Sequence, residues 1–266
     1  MGSRRIRGRR GLTMGALESL YSEFGFWILL GVVVAALITS TIHGTVGVAG
    51  GTLMTAALAL LIGVKPVVPV MSVALVVSHF SRTMLNVRTI DWRALTIVMA
   101  GATPMIVVGA LVYGMLPGRA IAVVLGVLIL AAIPLRHWAH ARQIKAGRAT
   151  LGAVGGVFGF LAGGSIGSGM LLTPFLLGYG LSKEAFVATM AVIAVATNAI
   201  RMATFGGSQL LDAHYAFMGF MVGLVMIPGN WIGRTILRRM APGTHSRLID
   251  LFALLAGLDF LYLAFR

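Results

Sequence analysis

The chain has 266 residues, of which 58% are hydrophobic and 11% are charged. Soluble domains carry roughly 25% charged residues, so this composition excludes an ordinary soluble domain. The mean hydropathy of +0.96 and the many long apolar runs predict an all-α, polytopic helical membrane protein. The absence of cysteine excludes disulfides, thiol chemistry and iron–sulfur clusters.

The net charge of +14 is concentrated in the N-terminal tail and in the loops between apolar segments. The tail, residues 1–23, holds a run of arginines: Arg4, Arg5, Arg7, Arg9 and Arg10. Basic residues beside apolar segments mark the cytoplasmic side, so we assign this basic tail and its interfacial segment to the cytoplasm, near anionic lipid. The hydropathy argues against nucleic acid as a partner. The tail lacks the short apolar core and cleavage site of a signal peptide.

Apolar segments follow the tail in two successive sets. The first set lies at 24–43, 48–62, 66–85, 94–116 and 120–135, and makes a first transmembrane repeat over 24–135. A predicted basic cytoplasmic loop covers 136–150. The second set lies at 151–162, 166–179, 185–202, 215–237 and 248–265, within a second transmembrane repeat over 151–266. Some segments are shorter than the roughly 20 residues that a spanning helix needs, so half-helices are expected.

The second repeat matches the first in the order of its short motifs. The aligned pairs are Gly50-Gly51 with Gly167-Ser168, Gly63-Val64-Lys65 with Gly180-Leu181-Ser182, Ser81 with Asn198, and Asp91-Trp92-Arg93 with Asp212-Ala213-His214. One offset relates the first three pairs, and a short insertion precedes the last. This repeated order, at a period near half the chain, indicates an internal duplication.

The basic loops exchange places between the two repeats. The loop after the third segment carries Arg82, Arg88 and Arg93, whereas its counterpart has only Arg201 as a fixed cation. The next loop shows the opposite bias. Because basic loops lie on the cytoplasmic side, this exchange predicts two repeats of inverted topology. If every segment crosses the membrane, the same scheme puts the arginine tail outside, so the number of crossings stays open.

Each repeat contains a glycine-rich string inside an apolar stretch, at 44–52 and at 163–169. A helix that restarts after such a break presents unpaired N–H groups and the positive end of its dipole, which suit an anion. Paired breaks in two repeats are typical of a transporter's substrate site. The alternative is that the glycines serve only close helix packing. The predicted substrate-binding residues at the breaks are His43, Gly50, Gly51, Thr52, Ser165, Gly167 and Ser168.

A second polar cluster ends the third segment of each repeat. It contains Ser78, His79, Ser81 and Arg82 in the first repeat, and Thr197, Asn198 and Arg201 in the second. Charged groups in membrane segments are costly, so both arginines are candidate anion attractors. The alternative is that they snorkel to the interface. Ser81 and Asn198 lie deeper, where they could contact the anion or bridge helices.

Acidic residues are scarce inside the apolar segments, where only Asp259 lies. A cation pore needs a ring of carboxylates, and none is evident. An intramembrane serine protease is the enzyme alternative, but Ser168 lacks the glycine, two positions earlier, that rhomboid-like proteases use. No His-Glu-x-x-His metal motif is present. We therefore predict no enzymatic activity, no cofactor and no metal site.

The duplicated order of motifs resembles the sulfite exporter TauE/SafE family of membrane permeases. The resemblance covers the chain from about Leu37 to the C-terminus. It rests on a glycine-rich break, an apolar helix, a glycine turn before the next helix (Gly63; Gly180), a polar-ended helix (Ser81; Asn198) and an aspartate-bearing loop entry (Asp91; Asp212). It implies export of sulfite, or of an organosulfonate such as sulfoacetate, across the bacterial inner membrane. Because His43 has no counterpart in the second repeat, the two halves are expected to hold the substrate by different atoms.

Three functional hypotheses follow. The first is a secondary transporter that holds a small sulfur oxyanion between the two breaks and moves it by alternating access, with one repeat rocking against the other. The second is an anion channel with the same site, and the third is an intramembrane enzyme. The expected partners are the small anion and the lipid bilayer. Homodimerisation, the identity of the anion and any coupling ion stay open.

Overall fold

The computed structural model describes residues 25–43, 48–84, 87–141, 145–237 and 242–266, and their regular secondary structure is helical throughout. The predicted tail over 1–23 lies outside these residues. Five helices among them are long and apolar enough to cross a membrane: Gly25–His43, Trp92–Met115, Gly118–Leu135, Glu184–Gly207 and Ala213–Gly233. The prediction of an all-α, polytopic membrane protein is therefore confirmed.

The helices follow the two predicted sets. Those of the first repeat are α1 (Gly25–His43), α2 (Val48–Ile62), α3 (Val67–Met84), a 3-10 turn at Val87–Thr89, α4 (Trp92–Met115) and α5 (Gly118–Ala141). Those of the second are α6 (Arg148–Gly164), a 3-10 turn at Ser168–Leu171, α7 (Thr173–Gly178), α8 (Lys183–Gly207), α9 (Ala213–Leu237) and α10 (Pro242–Phe265). Helix α2 has 15 residues and α7 has 6. Both are shorter than the roughly 20 residues of a full span.

The predicted loop at 136–150 is wrong over much of its length, because α5 continues to Ala141 and α6 already begins at Arg148. The hydropathy falls after Leu135, but a fall in hydropathy does not end a helix whose polar side chains can reach the interface. On this extension, the Nε2 atom of His137 lies 2.9 Å from Oδ2 of Asp250. The contact joins α5 to α10 at an exposed position.

The aligned turns of the two repeats have the same local structure. Gly63 and Gly180 both adopt positive φ angles, +85° and +106°, which glycine tolerates without strain. The Oδ1 atom of Asp91 accepts a hydrogen bond of 2.9 Å from the N–H of Ala94, and that of Asp212 accepts one of 2.8 Å from Tyr215. Each aspartate therefore caps the helix that follows it, α4 in one repeat and α9 in the other.

Removing the Asp91 carboxylate is expected to lower the free energy of unfolding by about 1 kcal/mol, because an N–H in the first turn of α4 loses its acceptor. Asp91→Ala should lower the unfolding temperature of the detergent-purified protein. Asp91→Asn keeps an accepting oxygen and should stay near the wild type. An alanine variant that melts with the wild type would contradict the capping role.

The two predicted repeats pack against each other and do not form separate bundles. Helix α3 of the first repeat packs against α8 and α9 of the second, and α8 in turn packs against α3 and α4. Helix α5 packs against α10, and α10 against α2. The contact of α3 with α9 and the contact of α8 with α4 are equivalent, because α3 corresponds to α8 and α4 corresponds to α9. Movement of one repeat against the other would therefore be movement at these shared faces.

Glycines allow the closest of these contacts. In α6 they recur every fourth residue on the face toward α4: Gly155, Gly159 and Gly163. A Cβ atom on Gly159 would lie 2.7 Å from Cα of Ala102, which is closer than side chains ever approach. In the corresponding pair, α9 and α1, a Cβ atom on Gly229 would lie 3.0 Å from the carbonyl oxygen of Leu37. Close helix packing, the alternative explanation of the glycine strings, therefore holds for Gly163, which belongs to the second string.

Candidate functional site

The first glycine break lies between α1 and α2. The described part of α1 ends at His43 and that of α2 begins at Val48, so Gly50 and Gly51 are the third and fourth described residues of α2. Residues 44–47 lie outside the described part of the chain. The side chain of His43 is buried, with 5% of its surface exposed. Its ring lies 5.8 Å from that of His79 on α3, measured between centroids.

The second break lies between α6 and α7. Ser165 is extended (φ −135°, ψ 157°) and caps the end of α6, and Gly167 is left-handed with φ +96°. A single 3-10 turn and the six-residue helix α7 follow. The predicted apolar segment over 166–179 is therefore not one helix. The left-handed Gly167 and Pro174 explain the interruption, since neither residue continues an α-helix.

The two breaks are in contact with each other. A Cβ atom on Gly51 would lie 3.4 Å from Cγ2 of Ile166, in the second break, and 3.8 Å from the ring of His43. Gly51 thus lies between the buried histidine that ends α1 and the extended segment that follows α6. A single added carbon at this position would touch both neighbours.

A cavity of about 310 Å³ lies beside this contact. Predicted site residues from both breaks line it: Thr52 from the first, and Ser165, Gly167 and Ser168 from the second. The other lining residues are almost all apolar and come mainly from α5, α6 and α7, among them Leu128, Trp138, Phe158 and Phe175. The structure therefore brings hydroxyl and backbone groups of both breaks to one otherwise apolar chamber.

The hydroxyl of Ser165 does not point its proton into this chamber. Its Oγ donates a hydrogen bond of 2.7 Å to the carbonyl oxygen of Leu161, one turn earlier in α6. The backbone N–H of Ser165 bonds to the same carbonyl at 2.9 Å. In this conformation Ser165 secures the end of α6. Thr52 and Ser168 are the other hydroxyl-bearing residues that line the cavity.

The second predicted cluster lies apart from the cavity, on α8. Arg201 and Asn198 are buried, with 2% and 4% of their surfaces exposed, and neither lines the cavity. The Nη1 of Arg201 donates to Oδ1 of Asn198 at 3.1 Å, while Nδ2 of Asn198 donates to the Ala194 carbonyl at 2.8 Å. The snorkelling alternative is wrong for Arg201, and these bonds of Asn198 stay within one helix. The side chains of Ser81 and Arg82 lie outside the described residues, although their backbone belongs to α3.

Sequence reasoning missed two polar residues that bond to distant parts of the fold, Tyr113 within the first repeat and Asn230 between the repeats. The hydroxyl of Tyr113 on α4 donates toward the carbonyl oxygens of Val64 and Lys65 at 3.1 and 3.0 Å. Nδ2 of Asn230 on α9 donates to Oγ of Ser78 on α3 at 2.8 Å. Both residues lie inside long apolar helices, where a buried polar group needs a hydrogen-bond partner. A polar residue in an apolar run was therefore the sequence feature that could have identified them.

A comparison with protein families identifies one match, over residues 32–260, and its description is "Sulfite exporter TauE/SafE". The matched range holds both glycine breaks, the cavity and the polar cluster on α8. No curated protein matches the chain, and neither does any solved structure. Within the described residues, no group of three or more histidine, cysteine, aspartate or glutamate side chains is placed to hold a metal ion.

Proposed function

Because the chain belongs to the sulfite exporter TauE/SafE family, we propose that it exports a small sulfur oxyanion, sulfite or an organosulfonate such as sulfoacetate, by alternating access. The family is one of membrane transporters, and the apolar helices make this a multi-pass membrane protein. The bacterial inner membrane is the proposed location. We propose no enzymatic activity, because the cavity lined by Ser168 has no histidine among its described lining residues.

The meeting of the two breaks is the observation that supports this site. Gly51 faces Ile166, and the chamber beside them is lined by Thr52 and Ser168. An apolar chamber gives an ion no stabilisation, so its charge would be met by backbone N–H groups of the breaks and by a hydroxyl such as that of Ser168. Gly50 and Gly51, from the glycine string of the first repeat, lie at the start of the described part of α2.

The direction of transport agrees with the energetics of an anion in a cell whose interior is negative. The membrane potential drives an anion outward by about 2.3 kcal/mol per charge for each 100 mV. Export driven by this potential requires no coupling ion. The scarcity of acidic residues in the apolar helices suits a protein that carries an anion, since carboxylates on the path would repel it.

Flux into proteoliposomes tests the proposal. Purified protein should accelerate movement of at least one of sulfite, sulfoacetate, sulfate and thiosulfate above the rate of protein-free vesicles. The transported anion should emerge chemically unchanged. Absence of protein-dependent flux for all four anions would refute the proposed function.

Counterflow separates a carrier from a channel. Vesicles preloaded with unlabelled anion should take up labelled anion faster than empty vesicles, because a carrier that returns loaded reorients faster than an empty one. A channel with the same site has no such step and would show no acceleration. The contacts of α3 with α9 and of α8 with α4 are the faces at which rocking would occur.

A further inference from the structure

The strongest unexplained feature outside the cavity is a buried cation on α8. Arg201 is 2% exposed, and no acidic side chain among the described residues pairs with it. Its Nη1 is bonded to Asn198, but Nε and Nη2 have no hydrogen-bond partner in the described part of the chain. An arginine buried in a membrane helix with unsatisfied donors is costly unless another group supplies negative charge.

The unsatisfied donors of Arg201 have a defined geometry. Nε and Nη2 share one edge of the planar guanidinium group, the edge whose two N–H groups point in parallel. Two parallel N–H groups match two oxygens of a single carboxylate, phosphate or sulfur oxyanion. The bond from Nη1 to Asn198 holds the group so that this edge stays available. Asn198 is therefore a positioning residue.

Thr197 adds an independent observation on the same face of α8. It precedes Arg201 by one helical turn, so the two side chains are neighbours. Its Oγ1 is buried and, within the described residues, makes no hydrogen bond. Threonines in helices usually bond to the carbonyl four residues earlier. Thr204 on the same helix does so at 2.9 Å, whereas Thr197 does not.

The nearby phenol of Tyr113 does not neutralise Arg201. The guanidinium lies within electrostatic range of this residue. However, the Tyr113 hydroxyl donates to backbone carbonyls of the turn between α2 and α3, and a phenol is neutral near pH 7. Tyr113 also packs against Gly164 at the second break, since a Cβ atom there would lie 3.4 Å from Cβ of Tyr113. One residue thus contacts the break and lies near the cation.

We propose that Arg201 and Thr197 form an oxyanion-binding site on α8, separate from the cavity, in which the Nε–Nη2 edge binds two oxygens and the Thr197 hydroxyl donates to an oxygen. The choice of a sulfur oxyanion as ligand rests on the proposed function. The site would then be a second position for the anion, connected to the second break through Tyr113.

Calorimetric titration of the detergent-purified protein with sulfite tests the site. Thr197→Val has nearly the same shape and removes only the hydroxyl, so it should weaken sulfite binding by about tenfold or more. Arg201→Lys keeps the charge but loses the parallel edge, and it should weaken binding by at least as much. Thr204→Val is the matched control and should bind like the wild type. Chloride is a single atom and cannot offer two oxygens to the two parallel N–H groups, so it should bind far more weakly than sulfite.

The wild type must bind sulfite, and a titration that detects no sulfite binding would overturn the proposed site. If Arg201→Lys does not fold, Thr197→Val still tests the proposed site. Equal sulfite affinities for Thr197→Val, Thr204→Val and the wild type would also overturn the site. A flux measurement on the wild type tests the proposed function separately from the binding site. If the wild type transports sulfite and Thr197→Val binds sulfite as tightly as the wild type, the transport proposal stands and the proposed site is refuted. Binding that depends on Thr197 without flux supports the site and refutes transport.

Discussion

Replacing Gly159 by leucine should prevent accumulation of folded protein. A Cβ atom at this position would lie 2.7 Å from Cα and 2.9 Å from the carbonyl carbon of Ala102, and it would also meet the carbonyl oxygen of that residue. These are backbone atoms of α4, which cannot rotate away as a side chain can. Overpacking costs about 1–3 kcal/mol and occasionally more, and here it forces two whole helices apart.

The effect can be measured as membrane yield and as the unfolding temperature in detergent. Gly159→Ala should already lower the unfolding temperature, and Gly159→Leu should abolish the folded fraction. Gly206→Leu is the matched control, because it puts the same side chain at a helical glycine with nothing within 4 Å of the added Cβ. Comparable yields for the two leucine variants would show that α4 and α6 do not pack as described.

Replacing Gly51 by leucine should reduce sulfite flux by about tenfold or more while the protein still accumulates in the membrane. The side chain would project into the space between His43 and Ile166, where the first added carbon already makes contact at 3.4 Å. The remaining atoms of leucine must displace either the buried ring or the extended segment of the second break. Overpacking of about 1–3 kcal/mol at this junction corresponds to a loss of about fivefold to 150-fold.

Gly51→Ala provides the graded comparison. Its single carbon meets Ile166 and His43 at ordinary van der Waals distances, so flux should stay within about twofold of the wild type, since small volume changes of this kind are tolerated best. Monodisperse elution of both variants in size-exclusion chromatography would show that any lost flux is not lost folding. Wild-type flux through a well-folded Gly51→Leu protein would place the anion elsewhere.

Local features of this fold could be predicted because short stretches of sequence determine them. Helix α2 was predicted at Val48–Ile62, where it lies, since a glycine string precedes it and Gly63 ends it. Asp91 and Asp212 were predicted to precede the next helices, and both cap them. The end of α5 was misplaced because hydropathy follows the apolar region, whereas the helix continues through polar residues to Ala141.

The candidate site was predicted only in part. The glycine breaks could be found as interruptions of apolar runs, but their contact through Gly51 and Ile166 depends on how α2 and α6 are placed in space. Ser165 was predicted as a donor to the anion, and its proton is instead bonded to Leu161. Hydroxyl direction depends on the backbone angles at the end of a helix, which composition does not specify.

The sequence by itself determined the membrane class, the duplicated order of motifs and the family, because hydropathy, glycine placement and repeat spacing are properties of the chain read in order. Only the tertiary structure decided that the two breaks share one chamber and that Arg201 is buried rather than at the interface. Both facts depend on contacts between residues far apart in the chain. An arginine near the end of an apolar segment has the same sequence signature whether it reaches the interface or turns inward. The helices packed around it decide which of the two occurs.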